Sequence, residues 1–363
     1  MAPSLRAFVP AAVRKAGRRL MARQVDRRLD SDLTRIAAGR DLVVAGPWLG
    51  EVGFELLYWI PFLAWCAETY GIPRERWLVI SRGGTAGWYQ HIAAHYGDVF
   101  DQVTPDEYRS QHDARVRDLG EQKQTRVTAF DQRLVEGALR SVTEAAPGNA
   151  THGWAHLHPS RMYELMSPYW WEHESSAWVH RHVSWRRLTA VRTDAGVVPH
   201  APAAPYVAVK FYFNDCFPAS PENRAFVRAV VTRLAALGPV VNLSTGLRLD
   251  DHGAFPLELP GVSHLPADLE PSRNLGVQDA IVAGARAFVG TYGGFSYLAP
   301  FHGVPSFAFY SHRPGFSDKH LVLAREAFDR LPQRAGTGTP LMVQDASVLT
   351  PDGALAPLTQ VHG

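Results

Sequence analysis

The chain has 363 residues, 46% of them hydrophobic and 20% charged, with a net charge of +2. This composition is that of a globular protein, and the length provides for two domains of ordinary size. No apolar run approaches the roughly 18 residues of a membrane span, and arginines interrupt the N-terminus where a secretory signal needs an apolar core. Two distant cysteines, Cys66 and Cys216, indicate a reducing compartment, so we predict a cytoplasmic protein.

The N-terminal segment is strongly basic. Residues 1–40 hold ten Lys or Arg against three Asp, which leaves the rest of the chain with a net charge of about −5. Apolar residues recur in this segment at helical spacing, namely Met21, Val25, Leu29, Leu33 and Ile36. The pattern predicts a basic amphipathic helix. Either this helix contacts an anionic membrane surface as a peripheral element, or it packs against the protein with its arginines in water.

An α/β pattern begins at residue 41. A glycine-containing loop, 46–53, connects the first predicted strand to an aromatic helix at Phe54–Tyr70, where Pro61 marks a kink or the first true turn. The predicted strands of this part are Leu42–Ala45, Trp77–Ile80 and Val99–Val103. This is the beginning of a parallel sheet with helical crossovers.

Residues 105–200 are less regular. A polar helical stretch at 120–146 precedes a segment rich in aromatic residues and histidines, which we interpret as helical elements that cover a cleft. Pairs among His152, His156 and His158 can share a face, but no cysteine accompanies them. Packing or stacking against a substrate is favoured over a metal site, and we predict no metal.

Strands and helices alternate through the second half, which is the rhythm of a doubly wound domain. We therefore predict an α/β fold with two Rossmann-like domains facing a cleft, and ligands bound at the carboxyl ends of the strands. The predicted limits are a basic helical extension at 1–40, a first domain with a helical and aromatic insert at 41–195, a second domain at 196–335 and an unassigned tail at 336–363.

The most informative segment is 287–310. An apolar strand ends in a loop of small residues, and an apolar helix and a second strand, Ser306–Tyr310, follow. Glycines at such a turn let N–H groups approach a ligand closely, and a helix N-terminus favours anions. The pattern predicts a phosphate-bearing ligand held by Thr291, Gly293, Gly294 and Ser296. The alternative is a tight turn that needs glycines only for its backbone conformation.

Polar residues at the ends of other strands are expected along the same rim, which is the edge of the sheet formed by the carboxyl ends of its strands. Lys210 ends a strand, where a cation would neutralise the charge of a departing phosphate, although it can also be read as a surface lysine. Thr245 and Gly246 follow the next strand. Asn274 precedes a helix, either as its cap or as a contact to a ribose.

Two carboxylates lie beside the glycine loop of the first domain. Glu51 and Glu55 are candidates for a base that deprotonates an acceptor hydroxyl, with preference for Glu51. Alternatively, Glu55 complements the helix dipole and Glu51 is solvated. Arg82, with Gly83 and Gly84, is a weaker candidate for contact with an acceptor.

Residues 288–310 resemble the donor-site region of GT-B glycosyltransferases, especially bacterial heptosyltransferases and fucosyltransferase-like enzymes. Both have a strand, a small-residue loop, a helix and a Gly-x-Pro strand there. The loop at 46–53 also suits the acceptor domain of that fold. The resemblance implies that the 291–296 loop binds a nucleotide diphosphate, that Lys210 assists the leaving group and that Glu51 is the base. It implies no metal or other cofactor.

The resemblance predicts an inverting glycosyltransferase that moves a sugar from a nucleotide-sugar donor to a hydroxyl of a glycan or lipid-linked glycan. The sequence lacks the His-x-Arg-Arg motif of the fucosyltransferases and the paired glutamates of the retaining branch, so the donor sugar and the stereochemistry stay open. A nucleotide-sugar 2-epimerase and a non-catalytic binding protein are the alternatives. The absence of phosphate-loop, Gly-x-Gly-x-x-Gly and Gly-x-Ser-x-Gly motifs disfavours NTPases, NAD enzymes and hydrolases. The arginines are concentrated in the N-terminal segment and do not form a basic groove interleaved with aromatic residues. We therefore do not predict nucleic acid as a partner.

Overall fold

The computed structural model describes residues 11–120, 123–145, 153–190, 202, 204–247, 253–255, 257–331 and 340–360. The predicted domain limits at 195–196 and 335–336 lie outside the described residues, and so does His152. Among the described residues, no helix has both the length and the apolar character needed to cross a membrane.

The first lobe is defined by a four-stranded parallel sheet and its helices. The strands are β1 (Leu42–Ala45), β2 (Trp77–Ser81), β3 (His95–Asp98) and β4 (Trp154–Leu157). They lie in the order β3-β2-β1-β4. The two central strands are apolar and buried, as strands covered on both faces must be, whereas the more polar β3 and β4 form the edges.

Two sheet edges differ from the prediction. The predicted strand Val99–Val103 is wrong, because the third strand is His95–Asp98. It ends at Asp98, whose carboxylate accepts the Phe100 N–H at 2.9 Å. That contact caps a 3-10 turn at Val99–Asp101. β4 was expected to be helical, but it pairs in parallel with β1. Its exposed Trp154 and half-buried His156 lack the apolar run that identifies an inner strand.

The helices of the first lobe surround this sheet. After α1 (Ala11–Ala38) they are α2 (Val52–Phe54), α3 (Ile60–Tyr70), α4 (Ala86–Tyr89), α5 (Pro105–Leu119), α6 (Ala129–Ala145), α7 (Pro159–Trp170) and α8 (Ser176–His180). A π-helical segment, Glu55–Trp59, joins α2 to α3 and ends two residues before Pro61. Proline has no N–H to donate to Leu57 O, and Trp185 Nε1 donates to that carbonyl instead, at 3.1 Å.

The second lobe contains a six-stranded parallel sheet. Its strands are β5 (Val207–Lys210), β7 (Val240–Asn242), β9 (Val262–His264), β10 (Ala287–Thr291), β11 (Ser306–Tyr310) and β12 (Leu341–Asp345), while β6 (Tyr212–Phe213) and β8 (Gly253–Ala254) form a separate antiparallel pair. The order β12-β11-β10-β5-β7-β9 is the doubly wound order of a Rossmann fold. The prediction of two Rossmann-like sheets is therefore confirmed.

The helices of the second lobe include part of the predicted tail. They are α9 (Pro221–Leu237), α10 (Asn274–Gly284), α11 (Gly294–Phe301), α12 (Asp318–Arg330) and α13 (Pro351–Gln360). β12 and α13 both fall within 336–363, which the sequence analysis left unassigned. β12 extends the sheet beside β11, and α13 packs against α9, so the second lobe continues beyond residue 335.

Helix α1 lies against the first lobe. Leu29, Leu33 and Ile36 are buried in the main core, while the arginines between residues 18 and 35 are exposed. Its N-terminal part has a different character, since Leu20 is 66% and Met21 67% exposed. The helix thus packs on the protein along part of its length and presents a mixed basic and apolar surface elsewhere.

The two lobes contact each other directly where the segment after β2 meets helix α10. Gly276 N–H donates to Gly83 O at 2.7 Å, and Trp88 Nε1 of the first lobe donates to Asp279 Oδ1 of the second at 2.8 Å. His302 Nε2 also lies 2.6 Å from Asp279 Oδ1. The buried Asp279 carboxylate is thereby used to join the lobes, and the carboxyl ends of both sheets face a common cleft.

Candidate active site

The cleft holds a cavity lined by both lobes at the carboxyl ends of β1, β2, β5, β7 and β10. In the second sheet the cavity lies between the neighbouring strands β5 and β10. The chain continues from β5 to β7 on one side of this pair and from β10 to β11 on the other side. Open α/β sheets bind ligands at such a switch point. Of the predicted site residues, the cavity is lined by Glu51, Lys210, Thr245, Gly246, Asn274, Gly293 and Gly294.

Three helical segments begin at this cavity. They are the helical run 52–70, α10 at Asn274 and α11 at Gly294. The first N–H groups of a helix have no intrahelical acceptor, and each N-terminus carries a partial positive charge. Lys210 and Arg82 add full positive charges to the lining. The cavity is therefore suited to a ligand that carries several negative charges.

A hydrogen-bonded chain holds Lys210 at the cavity wall. Its ammonium donates to Gln278 Oε1 and lies 3.7 Å from the centroid of the Phe295 ring. Gln278 Nε2 donates to Asn274 Oδ1 at 2.9 Å, and Thr245 Oγ1 donates to the same oxygen at 2.9 Å. The structure thus brings Thr245, Asn274 and Lys210 together, as the sequence predicted for residues of one rim.

Thr291 and Ser296 have different positions from those predicted. Thr291 Oγ1 donates to Tyr212 O at 2.8 Å and accepts from Tyr212 N at 3.1 Å, so it ties β10 to β6. Ser296 Oγ donates to Gly293 O at 2.7 Å and accepts from Gly293 N at 3.2 Å, which caps α11. Both residues are fully buried outside the cavity lining. Their predicted contact with a diphosphate is therefore corrected to a structural role.

Gly294 is required by the close approach of the two lobes. A Cβ atom at this position would lie 2.6 Å from the backbone nitrogen of Gly53 and 3.1 Å from Val52 Cβ. A Cβ atom essentially never lies within 3.0 Å of a non-bonded heavy atom, and the obstacle here is backbone, which no rotamer change can move. Glycine at 294 therefore lets the start of α11 meet the start of the 52–70 helical run at the edge of the cavity.

Glu55 does not reach the cavity. Its buried Oε1 accepts from Ser81 Oγ at 2.6 Å and from Tyr89 OH at 2.5 Å, while Oε2 lies 3.4 Å from Arg82 Nη1. Burial raises the pKa of the Glu55 carboxyl, and the Arg82 guanidinium opposes that shift. The prediction of Glu55 as a base in contact with an acceptor is corrected here. Its contacts instead position Arg82, which does line the cavity.

Glu51 is the carboxylate that the first lobe presents to the cavity. It is exposed and precedes the first helical residue of the 52–70 run. The loop that carries it is held by the buried Gln124, which accepts from Leu49 N at 2.7 Å and donates to Pro47 O at 2.8 Å. His156 Nε2 lies 2.8 Å from Gly46 O at the start of the same loop. These contacts fix the backbone from which Glu51 projects.

The histidines serve structural contacts. His158 Nδ1 accepts from Ser160 N at 3.1 Å and so caps α7, and His156 is held at the Gly46 carbonyl. In the part of the chain that the structure describes, no three His, Cys, Asp or Glu side chains are grouped closely enough to hold a metal ion.

Several residues that hold the cavity lining in place were not predicted from the sequence. Gln278 and Phe295 hold Lys210, and Gln124 holds the Glu51 loop. Gln278 had a usable signal, since it lies one helical turn after Asn274 and shares its face. Gln124 had none, because nothing in its local pattern indicates a partner in the distant 46–53 loop.

No family model matches the chain, and no curated protein does. Solved structures do match it. The ADP-heptose lipopolysaccharide heptosyltransferase II of E. coli is 13% identical with a TM-score of 0.43, covering 88% of this chain and 98% of that one. A family 9 glycosyltransferase of Veillonella parvula is 12% identical with a TM-score of 0.41, covering 89% and 97%. SnogD, a glycosyltransferase of Streptomyces nogalater, is 14% identical with a TM-score of 0.41, covering 88% and 91%.

These three structures are glycosyltransferases, the class that residues 288–310 resemble. Two Rossmann-like sheets with a cavity between their carboxyl ends are also the arrangement predicted from that resemblance.

Proposed function

We propose that this chain is a glycosyltransferase that moves a sugar from a nucleotide-diphosphate donor to a hydroxyl of a glycan or lipid-linked glycan. The observation that carries the proposal is the composition of the cavity. The second lobe contributes Lys210 and two helix N-termini, and the first lobe contributes the exposed carboxylate of Glu51. A cationic wall opposite a carboxylate suits a reaction in which an anion leaves and a proton is removed.

In this proposal the second lobe binds the donor. The diphosphate lies at the N-terminus of α11, beside the backbone of Gly294 and the ammonium of Lys210. Thr245, Gly246 and Asn274 contact the nucleoside side of the ligand. As the bond from the anomeric carbon to the diphosphate breaks, its electron pair leaves with the phosphate oxygen. Lys210 and the helix N-termini stabilise that charge without a metal ion.

The first lobe supplies the acceptor chemistry. The acceptor oxygen attacks the anomeric carbon while Glu51 takes its proton, so one C–O bond forms as another breaks. We propose that attack and departure occur on opposite faces of the sugar, so that transfer proceeds with inversion. The support for this is that Glu51 and the leaving-group contacts belong to opposite lobes.

Lys210→Ala tests the donor site. We expect the variant to bind nucleoside diphosphates about 10- to 100-fold more weakly, because a hydrogen bond to a charged group contributes about 1.5–3 kcal/mol. Nucleoside monophosphates should be affected much less, since in this proposal Lys210 stabilises the phosphate that bears the sugar, which a monophosphate lacks. Isothermal titration of both ligands measures this contrast, and Lys210→Arg should restore part of the affinity.

Screening a panel of nucleotide sugars by thermal shift identifies the donor, since a bound ligand raises the melting temperature. If no nucleotide sugar binds, the proposal fails. Turnover of a donor to its epimer without an acceptor would show a nucleotide-sugar 2-epimerase instead. Equal diphosphate affinity in Lys210→Ala would remove Lys210 from the site.

We also propose that the N-terminal part of α1 makes peripheral contact with anionic membranes. Its exposed Leu20 and Met21 lie among exposed arginines, a combination typical of interfacial helices. Those arginines are Arg18, Arg19, Arg23, Arg27 and Arg28.

We expect the protein to sediment with phosphatidylglycerol vesicles and not with phosphatidylcholine vesicles. The double variant Arg23→Glu/Arg27→Glu should bind the anionic vesicles at least tenfold more weakly, since each basic residue near the surface contributes about 1 kcal/mol. Arg228→Glu/Arg233→Glu, on the exposed side of α9, makes the same charge change elsewhere and should bind normally. Equal binding by the two variants would contradict the membrane contact.

A further inference from the structure

A second cavity lies beside the cleft, with a volume of about 1190 Å³. We call it the aromatic chamber. The first lobe contributes residues of the 123–127 segment and one side of α7, and the second lobe contributes residues 316–320 at the start of α12. The proposed donor chemistry uses none of these residues. The chamber is large enough for a small-molecule or oligosaccharide ligand.

Four aromatic side chains are part of the chamber lining. Tyr163, Trp170, Trp171 and Phe316 all contribute to it. Trp171 is 71% exposed, although tryptophan is usually well buried. Flat apolar rings at an accessible wall suit the C–H faces of pyranose sugars, which pack on them while the sugar hydroxyls point to polar groups.

Charged side chains also line the chamber, three of them basic and three acidic, namely Lys123, Arg161, Lys319, Glu164, Glu172 and Asp318. Lys319 Nζ lies 2.9 Å from Glu172 and donates to Trp170 O at 2.7 Å. Arg161 pairs with Asp32 at 3.1 Å. Lys123 lies 4.9 Å from the centroid of the Trp170 ring. With its ionic groups compensated in this way, the chamber favours a neutral, hydroxyl-rich ligand over a strongly charged one.

The chamber adjoins the loop that carries Glu51. A Cβ atom built on Gly50 would lie 3.2 Å from the hydroxyl of Tyr163, a residue of the chamber wall. Phe54 packs against the chamber wall, since its ring centroid lies 5.6 Å from that of Trp170 and 4.9 Å from that of His320. The 50–54 segment therefore borders both the chamber and the cavity that Glu51, Val52 and Gly53 line.

We propose that the aromatic chamber binds the acceptor, a glycan of uncharged pyranose units, with one unit packed on Trp171 and a hydroxyl directed to Glu51. This inference rests on the proposed glycosyltransferase function. It assigns the body of the acceptor to the chamber and its reacting hydroxyl to the neighbouring cavity, where the donor binds and which Glu51 lines.

A printed array of neutral oligosaccharides tests the inference with labelled full-length protein and a bound nucleoside diphosphate. We expect Trp171→Ala to bind its glycans about tenfold more weakly, from the loss of ring packing. Trp154→Ala is the matched control. Trp154 is 48% exposed on β4 and does not line the chamber, so its removal should leave glycan binding unchanged. Melting temperatures of both variants should equal that of the unchanged protein.

Nucleotide-sugar binding by the same preparations separates this inference from the proposed function. Failure to bind any glycan, in protein that binds a nucleotide sugar, would overturn the chamber and leave the donor site standing. Equal glycan affinity in the two tryptophan variants would also overturn it. Glycan binding that depends on Trp171 without any nucleotide-sugar binding would support the chamber and refute the glycosyltransferase function.

Discussion

Replacing Glu51 by Gln is expected to lower kcat for sugar transfer by about 10²- to 10⁴-fold, the usual contribution of a positioned general base. Gln keeps the shape of the side chain but cannot take a proton from the acceptor hydroxyl. Donor affinity should stay close to that of the unchanged protein, because Lys210, Asn274 and the α11 N-terminus lie on the other lobe. Single-turnover transfer from the identified nucleotide sugar, with titration of the donor in parallel, measures the two effects separately.

Glu55→Gln is the matched comparison. Its carboxylate accepts from Ser81 and Tyr89 and faces Arg82, all away from solvent. The amide can replace only part of these contacts, so we expect a lower melting temperature and weaker ligand binding through Arg82. The chemical step should suffer less than in Glu51→Gln. A loss of rate confined to Glu55→Gln, with Glu51→Gln fully active, would contradict the assignment of the base.

The sequence predicted the inner elements of both sheets well, because local pattern and burial agree there. Strand Leu42–Ala45 was predicted with its observed bounds, and its last three residues are fully buried. Strand Ser306–Tyr310 likewise has an apolar run between turn residues. Edge elements were predicted poorly. The polar strand His95–Asp98 needs only one covered face and so lacks the signal of an inner strand.

At the site, the sequence identified positions better than side-chain directions. Lys210 and Thr245 were predicted as site residues because they lie at the ends of predicted strands, and the carboxyl ends of parallel strands meet at one edge of the sheet. The sequence does not show that the Glu55 side chain points into the protein. The buried face of a helix is predicted from a regular 3.6-residue spacing, and the π-helical segment Glu55–Trp59 interrupts that spacing. Ser296 did carry a signal for its structural role, because it lies three residues after Gly293, at the spacing of a capping box.

Gly294→Ala is expected to separate the two lobes where they meet at the cavity. Its Cβ would lie 2.6 Å from the Gly53 nitrogen, so one of the two backbones must move. Overpacking of this kind costs about 1–3 kcal/mol. We expect a lower melting temperature and, since the diphosphate is assigned to the N-terminus of α11, about 10-fold weaker binding of nucleoside diphosphates. Calorimetry and titration measure the two changes.

Two further glycine variants show whether the effect depends on the contact between the lobes. Gly53→Ala approaches the same contact from the first lobe with a milder clash, 3.1 Å to Gly294 Cα, and should give a smaller loss. Gly17→Ala, in helix α1 with no atom within 4 Å of its added methyl, should be neutral or slightly stabilising. If Gly294→Ala binds diphosphate as tightly as Gly17→Ala does, the start of α11 is not part of the anion site. The graded order Gly294, Gly53, Gly17 is expected because the distance from the added methyl to the opposite backbone sets how far the lobes must part.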